Sequence, residues 1–251
     1  MTIWQHTQCF PKLEKHQAHI WRANLDLNTT EITKLAALLS PDETVRANRF
    51  RFRQHKRRFI AARGILRQLL GAYLEANPCS LNFSYGEKGK PVLSSSTKLQ
   101  FNVSHSQEYA LLGFIPEHLI GVDIEYQRAI PDALKIAQRF FSPQEFKMLR
   151  ETVPSQQAKL FFQLWTAKEA YLKALGTGLS GSLTEAEIAF DCNQSPYLLS
   201  MQEKPAPISD WSLYSCTPVA NYLGAIAINK QASSQQVTFW HWLPDLFTTS
   251  I

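Results

Sequence analysis

A chain of 251 residues that is 45% apolar and 19% charged is long enough for one large domain or two small ones and too rich in core-forming side chains to be disordered. Its net charge of +5 is unevenly placed: nine basic residues (Arg46, Arg49, Arg51, Arg53, Lys56, Arg57, Arg58, Arg63, Arg67) fall in 46–67 without one Asp or Glu, and removing them leaves −4. Such a block fits a nucleic-acid patch, a dock for an acidic protein or a phosphate pocket.

From the N-terminus, residues 1–21 are interrupted by Lys12, Glu14 and Lys15 and carry no secretory signal. Ser40-Pro41-Asp42-Glu43 predicts a helix start, with Ser as N-cap, Pro at the first helical position and Glu closing a capping box. The basic block then reads as a second helix with Phe59, Ile60, Ile65, Leu66 and Leu69 on its buried side, stopping at Leu70-Gly71. Gly86-Glu87-Lys88-Gly89-Lys90-Pro91 is a basic turn without the Walker pattern, which fits a phosphate-holding loop or a plain hairpin. A strand at 99–101 is followed by Asn102-Val103-Ser104-His105-Ser106, read as a turn that offers donors to a phosphate or is simply hydrogen-bonded, and then by an apolar strand at 109–115.

Residues 120–125 alternate, so Val122 and Ile124 point to the core and Asp123 and Glu125 share the other face about 7 Å apart. Two such carboxylates and a third, Glu169, suit a hard cation, although the pair alone also fits the solvated face of an ordinary strand. Ser142-Pro143-Gln144-Glu145 repeats the helix-start signal 102 residues after the first. A helix at 160–175 places Phe161, Leu164, Ala167, Tyr171, Ala174 and Leu175 inward. It leaves Lys168 as a solvated charge and puts Glu169 and Lys173 at i and i+4 on its flank, which also fits a common surface pair. Leu175-Gly176 ends this helix as Leu70-Gly71 ends its counterpart, 105 residues apart, and Leu112-Gly113 and Leu223-Gly224 repeat at 111.

These offsets predict an α+β fold of two similar halves related by pseudo-two-fold symmetry, 1–120 and 121–251, with a cleft and any chemistry between them. Cys9, Cys79, Cys192 and Cys216 form no Cys-x-x-Cys pair and read as four buried reduced thiols. The longest apolar runs, 109–115 and 222–228, fall far short of the roughly 20 residues of a membrane span. The chain reads as cytosolic.

The order Gly89-Lys90-Pro91, Phe101-Asn102-Val103-Ser104-His105-Ser106, Gly121-Val122-Asp123-Ile124-Glu125, Phe140-Phe141-Ser142 and Leu164-Trp165-Thr166-Ala167-Lys168-Glu169-Ala170-Tyr171-Leu172-Lys173 resembles the 4′-phosphopantetheinyl transferases of the broad-specificity, surfactin-synthetase-activating type. The resemblance spans residues 40–181. It implies an enzyme that transfers the phosphopantetheine arm of coenzyme A to a serine of an apo acyl or peptidyl carrier protein of fatty-acid, polyketide or non-ribosomal peptide synthesis. It implies Mg²⁺ on Asp123, Glu125 and Glu169, with Glu169 also the general base and Lys173 at the pyrophosphate. It further implies coenzyme A contacts from Ser104, His105, Lys90 with Lys88 in the same turn, Arg63 and Arg46. Glu43 stands where some relatives carry a lysine for the 3′-phosphate. The implied partners are coenzyme A and the carrier, with neither nucleic acid nor membrane, and the expected state is a monomer. The competing readings are a basic nucleic-acid-binding module, whose Phe50, Phe52 and Phe59 would stack on bases, and a Mg²⁺-dependent hydrolase of nucleotide pyrophosphates.

Overall fold

The structure, a computed structural model, describes residues 2–86, 89–94, 97–176, 183–184, 186–201, 210–229 and 236–247. A strand, three helices, a hairpin and two more strands follow one another twice. The first set is β1 (Gln17–Asn24), α1 (Thr29–Ala36), α2 (Pro41–Asn48), α3 (Arg53–Leu74), β2 (Phe83–Tyr85), β3 (Pro91–Leu93), β4 (Leu99–Ser106) and β5 (Tyr109–Pro116). The second is β6 (Ile120–Tyr126), α4 (Ala133–Phe140), α5 (Pro143–Glu151), α6 (Pro154–Leu175), β7 (Ala186–Phe190), β8 (Pro196–Met201), β9 (Ser212–Cys216) and β10 (Tyr222–Ile228). The sheets repeat the same order, β1-β5-β4 and β6-β10-β9. A last strand, β11 (Gln236–His241), crosses back and lies parallel to β1, so the end of the chain completes the first sheet. The fold is α+β.

Local signals account for much of this. Both Ser-Pro-x-Glu segments form capping boxes: the backbone N–H of Ser40 donates to Glu43 (3.0 Å) and that of Ser142 to Glu145 (2.8 Å). Two 22-residue helices, α3 and α6, follow them. One core cluster joins α3 to the first sheet through residues such as Trp21, Ile65, Leu69 and Phe114, and another joins α6 to the second sheet through Leu164, Tyr171 and Ala225. Between the sheets lie Ile20, Leu111 and Ile115 from one side and Val122, Ile124 and Ile226 from the other. Apolar burial on both faces of each sheet therefore stacks helix, sheet, sheet and helix.

The same buried ion pair occurs in both sets. Glu43 takes Arg67 at 2.6 Å, and the guanidinium also donates to the carbonyls of Pro78 and Leu81 before β2. Glu145 takes Lys168 at 2.7 Å, and the ammonium also donates to the carbonyl of Ala186 in β7. Each pair clasps a short helix, a long helix and the following hairpin. Lys168 is thus fully buried rather than solvated, because Glu145 and a strand carbonyl supply what water would.

Other expectations need correction. α3 does not stop at Leu70-Gly71 but runs to Leu74, where Glu75 adopts φ 50°. Gly71 sits in the last turn of α3, where a Cβ would meet Ala76 O and Pro78 Cγ, both at 2.8 Å. Residues 102–106 are not a turn but the second half of β4, paired along β5 to Tyr109. Three of the four free cysteines are exposed, and only Cys216 is buried.

Candidate active site

β4 and β6 are edge strands of different sheets, and side chains join them. Alternate residues of β4 share one face: Asn102 Oδ1 accepts from Val122 N (3.0 Å), Ser104 Oγ donates to Asp123 Oδ1 (2.8 Å), and Ser106 Oγ donates to Glu125 Oε2 (2.9 Å) while accepting from Tyr126 N (3.1 Å). This ladder of polar side chains, expected from the sequence as a phosphate-facing or hydrogen-bonded turn, instead aligns the carboxylates of the second sheet on the seam with the first. The alternation of polar residues at 102, 104 and 106 was the signal available for it.

α6 brings its own groups to the seam. Gly121 lets the helix lie directly on β6: a Cβ there would stand 1.9 Å from the carbonyl oxygen of Ala170. With strand and helix this close, Lys173 Nζ reaches Asp123 Oδ1 at 2.6 Å and Ser104 Oγ at 2.9 Å. Lys173 therefore pairs with Asp123, which excludes a plain surface pair with Glu169. Asp123 and Glu169 are both buried, so the solvated-strand reading also fails.

The electrostatics follow from that crowding. Burial pushes the Glu169 carboxyl up to about 7, the charge of Asp123 adds to this, Lys173 opposes it and Glu125 adds again. Glu125 is also raised, chiefly by burial, against the hydrogen bond from Ser106. Among the described residues, Asp123 Oδ2 and Glu169 Oε1 are buried without a hydrogen-bond partner, and no three His, Cys, Asp or Glu side chains form a ready-made metal cluster. Two orphaned carboxylate oxygens beside a third carboxylate are a donor set of oxygens alone, which fits a hard cation such as Mg²⁺. An apolar hollow of about 260 Å³, lined by Glu125, Ile130, Phe161, Phe162 and Trp165 among others, opens beside them.

The remaining site residues are placed less uniformly. His105, next to Ser104 on a strand, turns to the opposite face and is exposed at its edge; loss of hydration against the neighbouring chain lowers its pKa, with further lowering from Lys173, Arg58 and His55. Lys90 crosses from the β2–β3 turn to the C-terminus of α6, donating to Lys173 O (2.8 Å) and Ala174 O (3.1 Å). There it satisfies carbonyls that a helix end leaves open, and burial lowers it to about 8. Arg63 Nε faces Glu43 at 3.3 Å, and its guanidinium lies over the rings of Phe83 and Tyr85. Its NH1 is buried without a partner among the described residues. Arg46 lies over Phe59. No contact among the described residues joins Arg46 or Arg63 to the Asp123–Lys173 cluster, and Lys88 lies outside the described residues. Glu43 is turned inward to Arg67, so its carboxylate is a structural anion rather than a surface charge facing a ligand.

Comparison with known proteins bears on this arrangement. Residues 119–227 match the 4′-phosphopantetheinyl transferase superfamily, and residues 23–116 match the 4′-phosphopantetheinyl transferase N-terminal family. The chain is 43% identical over 229 residues to 4′-phosphopantetheinyl transferase HetI of Nostoc sp., covering 90% of this chain and 92% of that one. It is 30% identical over 154 residues to 4′-phosphopantetheinyl transferase Sfp of Bacillus subtilis, covering 61% and 67%. Among solved structures, a holo-(acyl-carrier-protein) synthase of Bacillus anthracis in complex with CoA (3′,5′-ADP) is 24% identical, covering 46% of this chain and 98% of that one with a TM-score of 0.38.

Proposed function

The chain belongs to the 4′-phosphopantetheinyl transferase superfamily, and from that premise we propose that it moves the 4′-phosphopantetheine arm of coenzyme A onto a serine of an apo acyl or peptidyl carrier protein. The bond from the serine oxygen to the phosphorus forms, the bond from that phosphorus to the nucleotide breaks, and adenosine 3′,5′-bisphosphate leaves. The observation that carries this reading is the Ser104–Asp123–Lys173 contact with Glu169 beside it, where groups from both sheets meet.

Transfer of this kind needs positioning and charge neutralisation more than covalent chemistry. Lys173, fixed by Asp123 and Ser104, presents a positive charge to the pyrophosphate. Glu169, beside Asp123 and Lys173 on the seam, is the carboxylate that would take the serine proton. Asp123, Glu125 and Glu169 are the residues that would hold Mg²⁺, which when bound supplies neutralisation of the pyrophosphate charge. We assign coenzyme A contacts to Ser104, His105, Arg46, Arg63, Lys88 and Lys90, the last also holding the end of α6.

The repeat of strand, helices and hairpin supports a coenzyme A half, 1–120, and a metal and catalytic half that begins at 121, although β11, within the expected 121–251, belongs to the first sheet. It also supports a monomer, since one chain supplies both sides of the seam. No described helix is long and apolar enough to cross a membrane, and the four free thiols support a reducing, cytoplasmic setting. The partners are coenzyme A and the carrier, without nucleic acid or membrane. Incubation with coenzyme A labelled in the pantetheine arm tests the assignment: Asp123→Ala and Glu169→Gln should each abolish labelling of an apo carrier while circular dichroism stays native. Retained labelling in either variant refutes the metal and base roles.

A further inference from the structure

The basic block divides into two parts that the sequence could not separate. Its C-terminal members are spent inside the fold: Arg57 donates to the carbonyl of Leu27 at 2.7 Å, Arg58 holds Asp26 with two 2.7 Å bonds, and Arg67 holds Glu43. Its N-terminal members are not. Among the described residues Arg49 and Arg53 contact no acid or carbonyl, and Arg51 lies only over the ring of Phe52. Every residue from 48 to 55 is exposed, and no Asp or Glu occurs between Thr44 and Leu74. At this corner between α2 and α3, Val45, Phe50 and Phe52 are 52%, 39% and 61% exposed.

Apolar tips surrounded by unneutralised guanidinium groups are complementary to an acidic protein face with apolar patches. Nucleic acid fits less well, since base stacking needs free ring faces. Phe52 has Arg51 over its face and His55 at its edge, and Phe50 packs on Phe59. The corner also has a direct line to the seam. Arg58, about one and a half turns beyond Arg53 along α3, donates to Gln107 Oε1 at 3.5 Å in the turn that follows β4, the strand whose Ser104 holds Asp123 and Lys173. At about 1.5 Å of rise per residue, Arg53 and Arg58 are only about 8 Å apart along the helix.

We infer that the α2–α3 corner, through Arg49, Arg51, Arg53, Phe50 and Phe52, is the docking surface for an acidic face of the carrier protein. This rests on the transferase reading above. The test uses the full chain with the triple substitution Arg49→Glu, Arg51→Glu, Arg53→Glu, which leaves Arg46 and the seam intact and takes the net charge from +5 to −1. With an acidic apo acyl carrier protein at about 50 mM salt, kcat/KM for the carrier should fall at least about ten-fold, with the gap closing toward about 0.5 M salt. KM for coenzyme A and kcat at saturating carrier should not change. Phe50→Ser with Phe52→Ser should raise KM for the carrier at every salt concentration. An unchanged kcat/KM at low salt overturns the proposal, as does a triple variant whose sole defect is lost binding to a polyuridylate probe. If the unsubstituted chain modifies no carrier, the transferase reading itself fails and the carrier as occupant of the corner falls with it.

Discussion

Replacing Gly121 by Ala should separate β6 from α6. The added Cβ would meet Ala170 O at 1.9 Å and Ala174 N at 2.4 Å, and since real Cβ contacts essentially never fall below 3.0 Å, β6 and α6 must part by about 1.1 Å. Neither neighbour is a side chain that can rotate away. Overpacking of this kind costs about 3 kcal/mol, which for a chain of this size lowers Tm by about 6–12 °C. The Lys173–Asp123 contact of 2.6 Å would stretch to about 3.7 Å, beyond a hydrogen bond, and a misplacement near 1 Å costs about 100-fold in rate. Thermal melting and the initial rate of labelled-pantetheine transfer, measured well below the variant's Tm, check both figures. Gly113→Ala is the control, because its Cβ would meet the side-chain methyls of Ile120 and Val122 at 2.8 Å, so it should lose stability and keep transfer. A Gly121→Ala protein with a Tm within about 2 °C of the parent and more than half its rate would show that the close approach of β6 and α6 does not set the Lys173–Asp123 contact.

Lys168→Met strips the buried Glu145 of its cation. Since Glu145 retains N–H donors from Ser142 and Ile188, the loss should sit near the low end for a broken buried pair, about 3 kcal/mol by urea titration. Combining it with Glu145→Gln should cost less than the two losses added. His19 is buried and neutral, its pKa pushed down to about 4 by burial. The unfolded chain therefore binds more protons between about pH 6.5 and 4, and stability present above that window is lost as pH falls through it. This amounts to about 3 kcal/mol by pH 4, so His19→Gln should flatten the dependence of the urea midpoint on pH. Lys90→Met should cost about 1–2 kcal/mol by leaving the α6 carbonyls open and should also slow transfer, although Lys90 does not touch Asp123. Chelation of divalent cations should stop transfer, and added Mg²⁺ should restore it.

Features encoded over a few residues were legible in the sequence. The two Ser-Pro-x-Glu helix starts, the strand at 120–125 and the inward face of α6 depend on local capping and periodicity, and the spacing of the two starts disclosed the repeated order of elements. Features made by distant partners were not. Lys168 reads as a surface charge until Glu145 and Ala186, 23 and 18 residues away, are seen around it. The polar run Asn102 to Ser106 resembles a turn because its hydrogen-bonding partners belong to another sheet. The crossing of β11 to β1 follows from pairing across more than 200 residues, which no periodicity records. Asp123, Glu125, Glu169 and Lys173 were identifiable as candidates by their motifs, but the pairing of Lys173 with Asp123 rather than Glu169 needed the close approach at Gly121.

Transfer of phosphopantetheine to a carrier serine is measured directly by intact-mass spectrometry of a panel of apo acyl and peptidyl carrier proteins incubated with coenzyme A and Mg²⁺. At least one carrier should gain one phosphopantetheine on its acceptor serine, with adenosine 3′,5′-bisphosphate released in equal amount, and neither should occur with Glu169→Gln. Release of the nucleotide without any carrier gaining mass, or no change in any carrier while the folded protein binds coenzyme A, would contradict the transferase reading.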